Sequence, residues 1–141
     1  LLDLLFREIL IPEGVFGELC LEQALPGTVE LKAAFSNTDS KYRVQAARQI
    51  EALLSELLDP GEAEAIALAT ENNCLLLIDE RKGRQVARKQ NIRIIGTGRI
   101  LIAAKKYGHL KNVREPLTQM RSCGYRLSEA LCQEILRLAG E

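Results

Sequence analysis

A chain of 141 residues, 47% hydrophobic and 27% charged with no net charge, is long enough to bury a core as one domain and reads as globular rather than disordered. It contains no apolar run of about 18 residues and shows no signal-peptide pattern, so no membrane association is expected. Cysteines 20, 74, 123 and 132 lack CxxC or zinc spacing, so reduced, partly buried thiols in a cytoplasmic protein are expected.

Leu1–Arg7 reads as the end of a helix that no N-cap precedes, and the chain does not open on Met. An upstream strand carrying part of any site is therefore expected. Glu8–Ile11 is a short strand ended by Pro12, and Glu13–Glu22 a helix with Val15 and Leu19 on one face. Pro26-Gly27 breaks that helix. Thr28–Phe35 suggests an edge strand and Ser36–Ser40 a polar loop. The apolar stripe of Val44, Ala47, Ile50, Leu54 and Leu57 predicts a helix running to about Leu58.

Asp59-Pro60-Gly61-Glu62 starts a new helix with the pattern of a capping box, and Asn72-Asn73 ends it. Leu75–Ile78 is a continuous apolar run, expected to be a central strand buried on both faces. Arg81–Gln90 is a basic helix, Ile92–Ile95 a strand, and Gly96-Thr97-Gly98 turns into the helix Arg99–Tyr107, which Gly108 stops. Two helices close the chain, about Val113–Cys123 and Ser128–Ala139, the second with Ser128 as N-cap. Strand alternating with helix over residues 60–107 predicts right-handed crossovers in a parallel sheet of the α/β class.

Charge is uneven along this order. Residues 1–71 hold five Lys/Arg against thirteen Asp/Glu (net −8), and residues 72–141 hold fourteen against six (net +8). A basic half suits a polyanion, and an acidic set suits cations, although such charges also mix on a folded surface. With three Tyr, three Phe and no Trp, a base-stacking platform is not expected.

The acids carry the chemistry. Asp79 follows four apolar residues, which puts it at the carboxyl end of a strand, where open α/β folds place their sites. Glu62 is either a first-turn cap or a ligand. Glu64 lies about 200° around the helix from it, so the two do not form a symmetric pair. Glu80 reads as a solvated turn residue. Hard cations such as Mg²⁺ take one or two carboxylates plus waters and phosphate oxygens, which suits such an acidic edge. Arg81, Lys82, Arg84, Arg88 and Lys89 either line a phosphate path or form a solvated basic face. Gly96-Thr97-Gly98 offers backbone N–H groups to a phosphate or is simply a tight turn. His109 fits no catalytic role.

Pro60–Ile66 followed by Leu76–Lys82 resembles the signature of PIN domains, and more narrowly of a prokaryotic PIN-like family related to the toxin ribonucleases of toxin–antitoxin pairs. Glu62–Ala65 is also similar to the metal-binding helix of flap endonucleases. The resemblance continues through Ile94–Thr97, Ala103–Gly108 and Gly124–Ser128, so it covers nearly the whole chain. It implies a three-layer α/β/α fold with a mainly parallel central sheet and a divalent-metal phosphodiesterase, using Mg²⁺ or Mn²⁺ and acting on RNA rather than DNA. Glu62 or Glu64, with Asp79, match the family's later acids, and Glu18 matches the acid of its early helix. The family opens with a strand ending in a metal-anchoring Asp, which has no counterpart before Leu1. An antitoxin protein is the implied partner; separately, the apolar opening helix and the mixed C-terminal helices suit a self-complementary patch for a second copy of the chain. Two other functions stay open: a PIN-like binding or assembly module without catalysis, and a receiver-like domain with Asp79 as phosphoacceptor.

Overall fold

The computed structural model describes residues 1–21, 33–35 and 40–141, without the side chains of residues 20 and 21. It has helices joined by parallel strands, the α/β class expected, and it divides into two compact units, Arg7–Ile95 and a second made of Leu1–Phe6 with Gly96–Glu141.

In the Arg7–Ile95 unit, β1 (Ile9–Pro12) leads directly into α2 (Glu13–Leu21). The β-branched run extends because Ile9 and Ile11 suit a pleated surface, and Pro12, buried, ends the strand where its missing N–H costs nothing to the following helix. β1 pairs in parallel with β2 (Tyr42–Gln45), with Ile9 opposite Tyr42 and Ile11 opposite Val44. This corrects the helix expected to run to Leu58. Val44 belongs to a strand, and only α3 (Ala52–Leu57) is helical in that stretch. The stripe from Val44 to Leu57 matched a helical period, but Tyr42 and Val44 prefer a ladder when a partner strand lies beside them. The edge strand expected over residues 28–35 lies mostly outside the described residues, and its last three residues are helical. Pro26-Gly27 and most of the polar loop after it also lie outside them. Phe35 packs edge-on against Phe16 of α2, with ring centroids 4.8 Å apart.

The central element is α4 (Pro60–Asn72), which packs against β1, α2, α3, β3 (Leu76–Leu77) and α5 (Arg81–Lys89). Its start is specified locally. Asp59 accepts the Glu62 N–H at 2.8 Å, and Pro60 occupies the first helical position, where no N–H is needed. Its end is equally local, because Asn73 adopts the left-handed conformation at φ 47°. The small side chains Ala63, Ala67 and Ala69 let its backbone lie close to its neighbours. The core it organises contains Leu54, Leu58, Ile66, Leu76, Ile78 and Ala87.

β3 (Leu76–Leu77) pairs in parallel with β4 (Ile94–Ile95), and α5 (Arg81–Lys89) connects them. Among the described residues the strands therefore form two parallel pairs, β1–β2 and β3–β4. The run 75–78 is buried on one face only: Leu76 and Ile78 point into the core, while Leu75 and Leu77 are 39% and 41% exposed. The expectation of burial on both faces is corrected here. An unbroken apolar run conceals which alternate side chains are covered.

In the second unit, α1 (Leu2–Leu5) packs on α6 (Thr97–Lys106), and α6 packs on α8 (Glu129–Leu138). α7 (Arg114–Ser122) completes a core of Leu101, Val113, Leu117 and Ile135. Ser128 caps α8 as expected, accepting the Leu131 N–H at 3.2 Å. The Glu141 carboxylate accepts from Lys105 Nζ at 2.9 Å and from the Val113 N–H at 2.6 Å, and these bonds, that from Lys105 first, hold its carboxyl below the usual range. Gly98 has a packing role: a Cβ there would lie 2.5 Å from Cδ1 and 2.8 Å from Cγ1 of buried Ile135. Gly98→Ala is therefore expected to destabilise the protein, since overpacking costs about 1–3 kcal/mol and the helix-propensity gain returns up to about 1 kcal/mol. A lower urea midpoint with an unchanged slope would register it, and an equal or higher midpoint would contradict the packing role.

Candidate acidic site

The start of α4 and the start of α5 bring acids together. Gly61 sits between two carboxylates, since a Cβ on it would lie 3.4 Å from Glu18 Oε1 and 3.5 Å from Asp59 Oδ1. One residue on, the Glu62 carboxyl reaches toward α5, where a Cβ on Gly83 would meet its Oε1 at 3.3 Å. Glu18, Asp59 and Glu62 thus lie along one edge, and Glu80 stands next to Glu62 from the other side.

Glu62 is held above the usual carboxylate range, first because it is dehydrated and then because the Asp59 and Glu80 carboxylates repel its charge. Those two neighbours each have a structural duty. Asp59 caps α4, and Glu80 caps α5 by accepting the N–H groups of Lys82 and Gly83. Glu80 is thus exposed, as the sequence suggested, but it also terminates a helix and places negative charge beside Glu62.

Glu64 turns the other way, as the helical rotation requires. It is 8% exposed, and its two oxygens accept backbone N–H groups, Gly14 at 2.7 Å and Ala47 at 3.3 Å. Asp79 lies exposed just past Ile78, whose N–H bonds to the Ile95 carbonyl at 3.0 Å, so it follows the end of the β3–β4 ladder as expected. Among the described residues no three acids, histidines or cysteines gather closely enough to hold one ion. The donor chemistry still fits a hard cation. Mg²⁺ takes one or two carboxylates and keeps several waters, and a repelled, dehydrated Glu62 is a carboxylate whose charge a cation would relieve.

The basic residues fall into two kinds. Arg81 and Lys82 are exposed in the first turn of α5, and Arg88 and Lys89 in its last. Arg84 is half-buried and donates to the Ile78 carbonyl at 2.7 Å, pinning the helix to the strand. Thr97 belongs to the other unit, in the first turn of α6, after Gly96 as its N-cap. Cys74, Cys123 and Cys132 are free thiols, and only Cys132 is buried.

Two features escaped sequence reasoning: the backbone grip of Glu64, and the pressure of Glu80 on Glu62. The chain carries only part of the first: which residues share a helix face, not which segment lies opposite. Gly14 precedes Glu18 by four residues and Gly61 precedes Glu64 by three, which puts each glycine on the face of its neighbouring glutamate.

Parallel strands joined by helices, with carboxylates collected where two helices begin, define an α/β protein with an acidic edge. A family model described as a PIN domain covers residues 1–141, and the chain belongs to that family, whose fold is nuclease-like. No curated protein and no solved structure matches the chain. Among the described residues no helix is long and apolar enough to cross a membrane.

Proposed function

We propose that the protein is a metal-dependent nuclease that hydrolyses phosphodiester bonds in RNA. The observation that carries this is Glu62, a carboxylate kept partly dehydrated between Asp59 and Glu80 in a chain of the PIN-domain family. Mg²⁺ or Mn²⁺ would be held by one or two carboxylates drawn from Glu62, Asp79 and Glu18, with waters and phosphate oxygens completing its shell. When bound, such an ion polarises a phosphoryl oxygen and lowers the pKa of a water. The protein's own part is positional. Arg81 and Lys82 hold the polymer backbone against the edge by charge and fix register without reading bases. Arg84 keeps α5 seated on β3 through the Ile78 carbonyl. The same reading includes an antitoxin-like protein and a second copy of the chain as partners, in the cytoplasm.

The test is cleavage of a single-stranded RNA oligonucleotide with Mg²⁺ or Mn²⁺. Asp79→Asn is expected to reduce turnover by about 10²–10³-fold, the usual scale for deleting one charge-stabilising group. Equal cleavage by wild type and variant, or cleavage that survives EDTA, would sink the proposal. A second reading, a nucleic-acid-binding or assembly module without catalysis, draws on the lack of three convergent ligands among the described residues. Retained RNA binding with no metal-dependent cleavage would select it.

A further inference from the structure

We infer that Glu64 is a positioning residue: it clamps the start of α2 and the exit of β2 onto α4, and by seating α2 it sets the Glu18 carboxylate beside Asp59. Four observations converge on this. The carboxylate is buried, and each oxygen accepts one backbone N–H, Gly14 at 2.7 Å and Ala47 at 3.3 Å. Gly14 is the second residue of α2, and N–H groups in a first turn have no partner within their own helix. Glu64 therefore caps α2 from a different helix.

The third observation is steric. A Cβ at residue 14 would stand 2.9 Å from Glu64 Oε2, so any side chain there would push the carboxylate away from its present place on this amide. The fourth is reciprocity. Glu18, one turn after Gly14 on the same face of α2, is the side chain that a Cβ at Gly61 would meet at 3.4 Å. Across the α2–α4 contact each helix thus presents a glycine to the other's glutamate. One glutamate is consumed by backbone N–H groups and the other is delivered to the acidic edge. Only the effect on turnover rests on the nuclease reading, since the clamp is a property of the fold.

The experiment combines amide exchange with turnover in the full chain. In wild type the Gly14 and Ala47 amides should exchange slowly. Glu64→Ala should speed both by about tenfold or more, the scale of one lost hydrogen bond. Glu64→Gln, which keeps one acceptor oxygen and the side-chain shape, should release one of the two and guards against a variant that does not fold. Gly14→Ala should release the Gly14-position amide although the carboxylate is intact. Unchanged exchange in these variants would overturn the clamp. Turnover on single-stranded RNA with Mn²⁺ then separates positioning from general support. Glu64→Gln should lower turnover in the wild-type background and have no further effect once Glu18→Gln is present. Additive losses would overturn the action through Glu18. A wild-type protein with slow Gly14 and Ala47 exchange but no cleavage would reject the nuclease reading and leave the clamp standing.

Discussion

Cutting Ile66 back to alanine is expected to cost about 2–5 kcal/mol of folding stability. Ile66 is 0% exposed at the middle of α4, in the core formed with Leu54, Leu58, Leu76 and Ile78. Two contributions add: the apolar area lost from the interior, and the cavity that remains because its surroundings cannot close over it. Closure is poor here, because Ala63, Ala69 and Ala87 line the same core and have no longer rotamers to swing inward. A domain of this size has about 5–15 kcal/mol in total, so this one substitution removes a large fraction. Urea titration would show a lower midpoint with an unchanged slope, and Ile66→Val should cost only about 0.5–1.5 kcal/mol. A loss in Ile66→Ala no larger than in Ile66→Val would mean that α4 does not organise this core.

Glu62→Gln should sharply lower activity and raise stability at neutral pH, two effects of opposite benefit from one change. The stability effect follows from the sign of its shift. Burial and the neighbouring carboxylates raise the carboxyl of Glu62 above its ordinary 4.5 in the folded protein, so the folded state favours the protonated form. Its stabilising contribution is complete below pH 4.5 and is lost as pH rises through the higher folded value. At pH 7 the charge is a burden that Gln removes, and the melting temperature should rise by about 1–4 °C, with the gain vanishing below the ordinary carboxylate pKa. Millimolar Mn²⁺ should reverse the order, stabilising wild type by mass action and the Gln variant far less. A variant less stable than wild type at pH 7, or an equal response of both proteins to Mn²⁺, would remove Glu62 from the proposed site. Turnover should fall by about 10²–10³-fold, as for Asp79→Asn.

Much of this was legible in the chain, and unevenly so. The helices α4 to α8 lie close to where the sequence placed them, and Asp59, Asn73 and Ser128 act on their own neighbours, whereas Glu80, which caps α5, reads in the sequence as a solvated turn residue. β2 was misread because its strand character depends on β1, thirty residues away, and a local period cannot report that pairing. The acids were found as a set, but their division of labour was not. Glu62 and Glu64 are adjacent in the pattern and similar in chemistry, and only the backbone N–H groups of Gly14 and Ala47 distinguish them. Those partners come from segments that no spacing rule links to α4. Gly98 is a parallel case: the chain shows a glycine at a helix start, while the reason for it is Ile135 on another helix.

The two backbone-gripping glutamates of α4 make its length a fixed quantity. Glu71, seven residues after Glu64 and so on nearly the same face, accepts the Arg48 and Gln49 N–H groups at 2.7 and 3.1 Å, continuing the hold on the segment after β2. Inserting or deleting a single residue between positions 64 and 71 would rotate one glutamate by about 100° relative to the other. Three consecutive amides could then no longer be held at once. Tags, linkers or grafted segments therefore do not belong in this helix, even at its solvent-facing positions. The exposed turn around Gly108 and His109 in the other unit is the better place for them, since a Cβ at Gly108 would meet nothing within 4 Å.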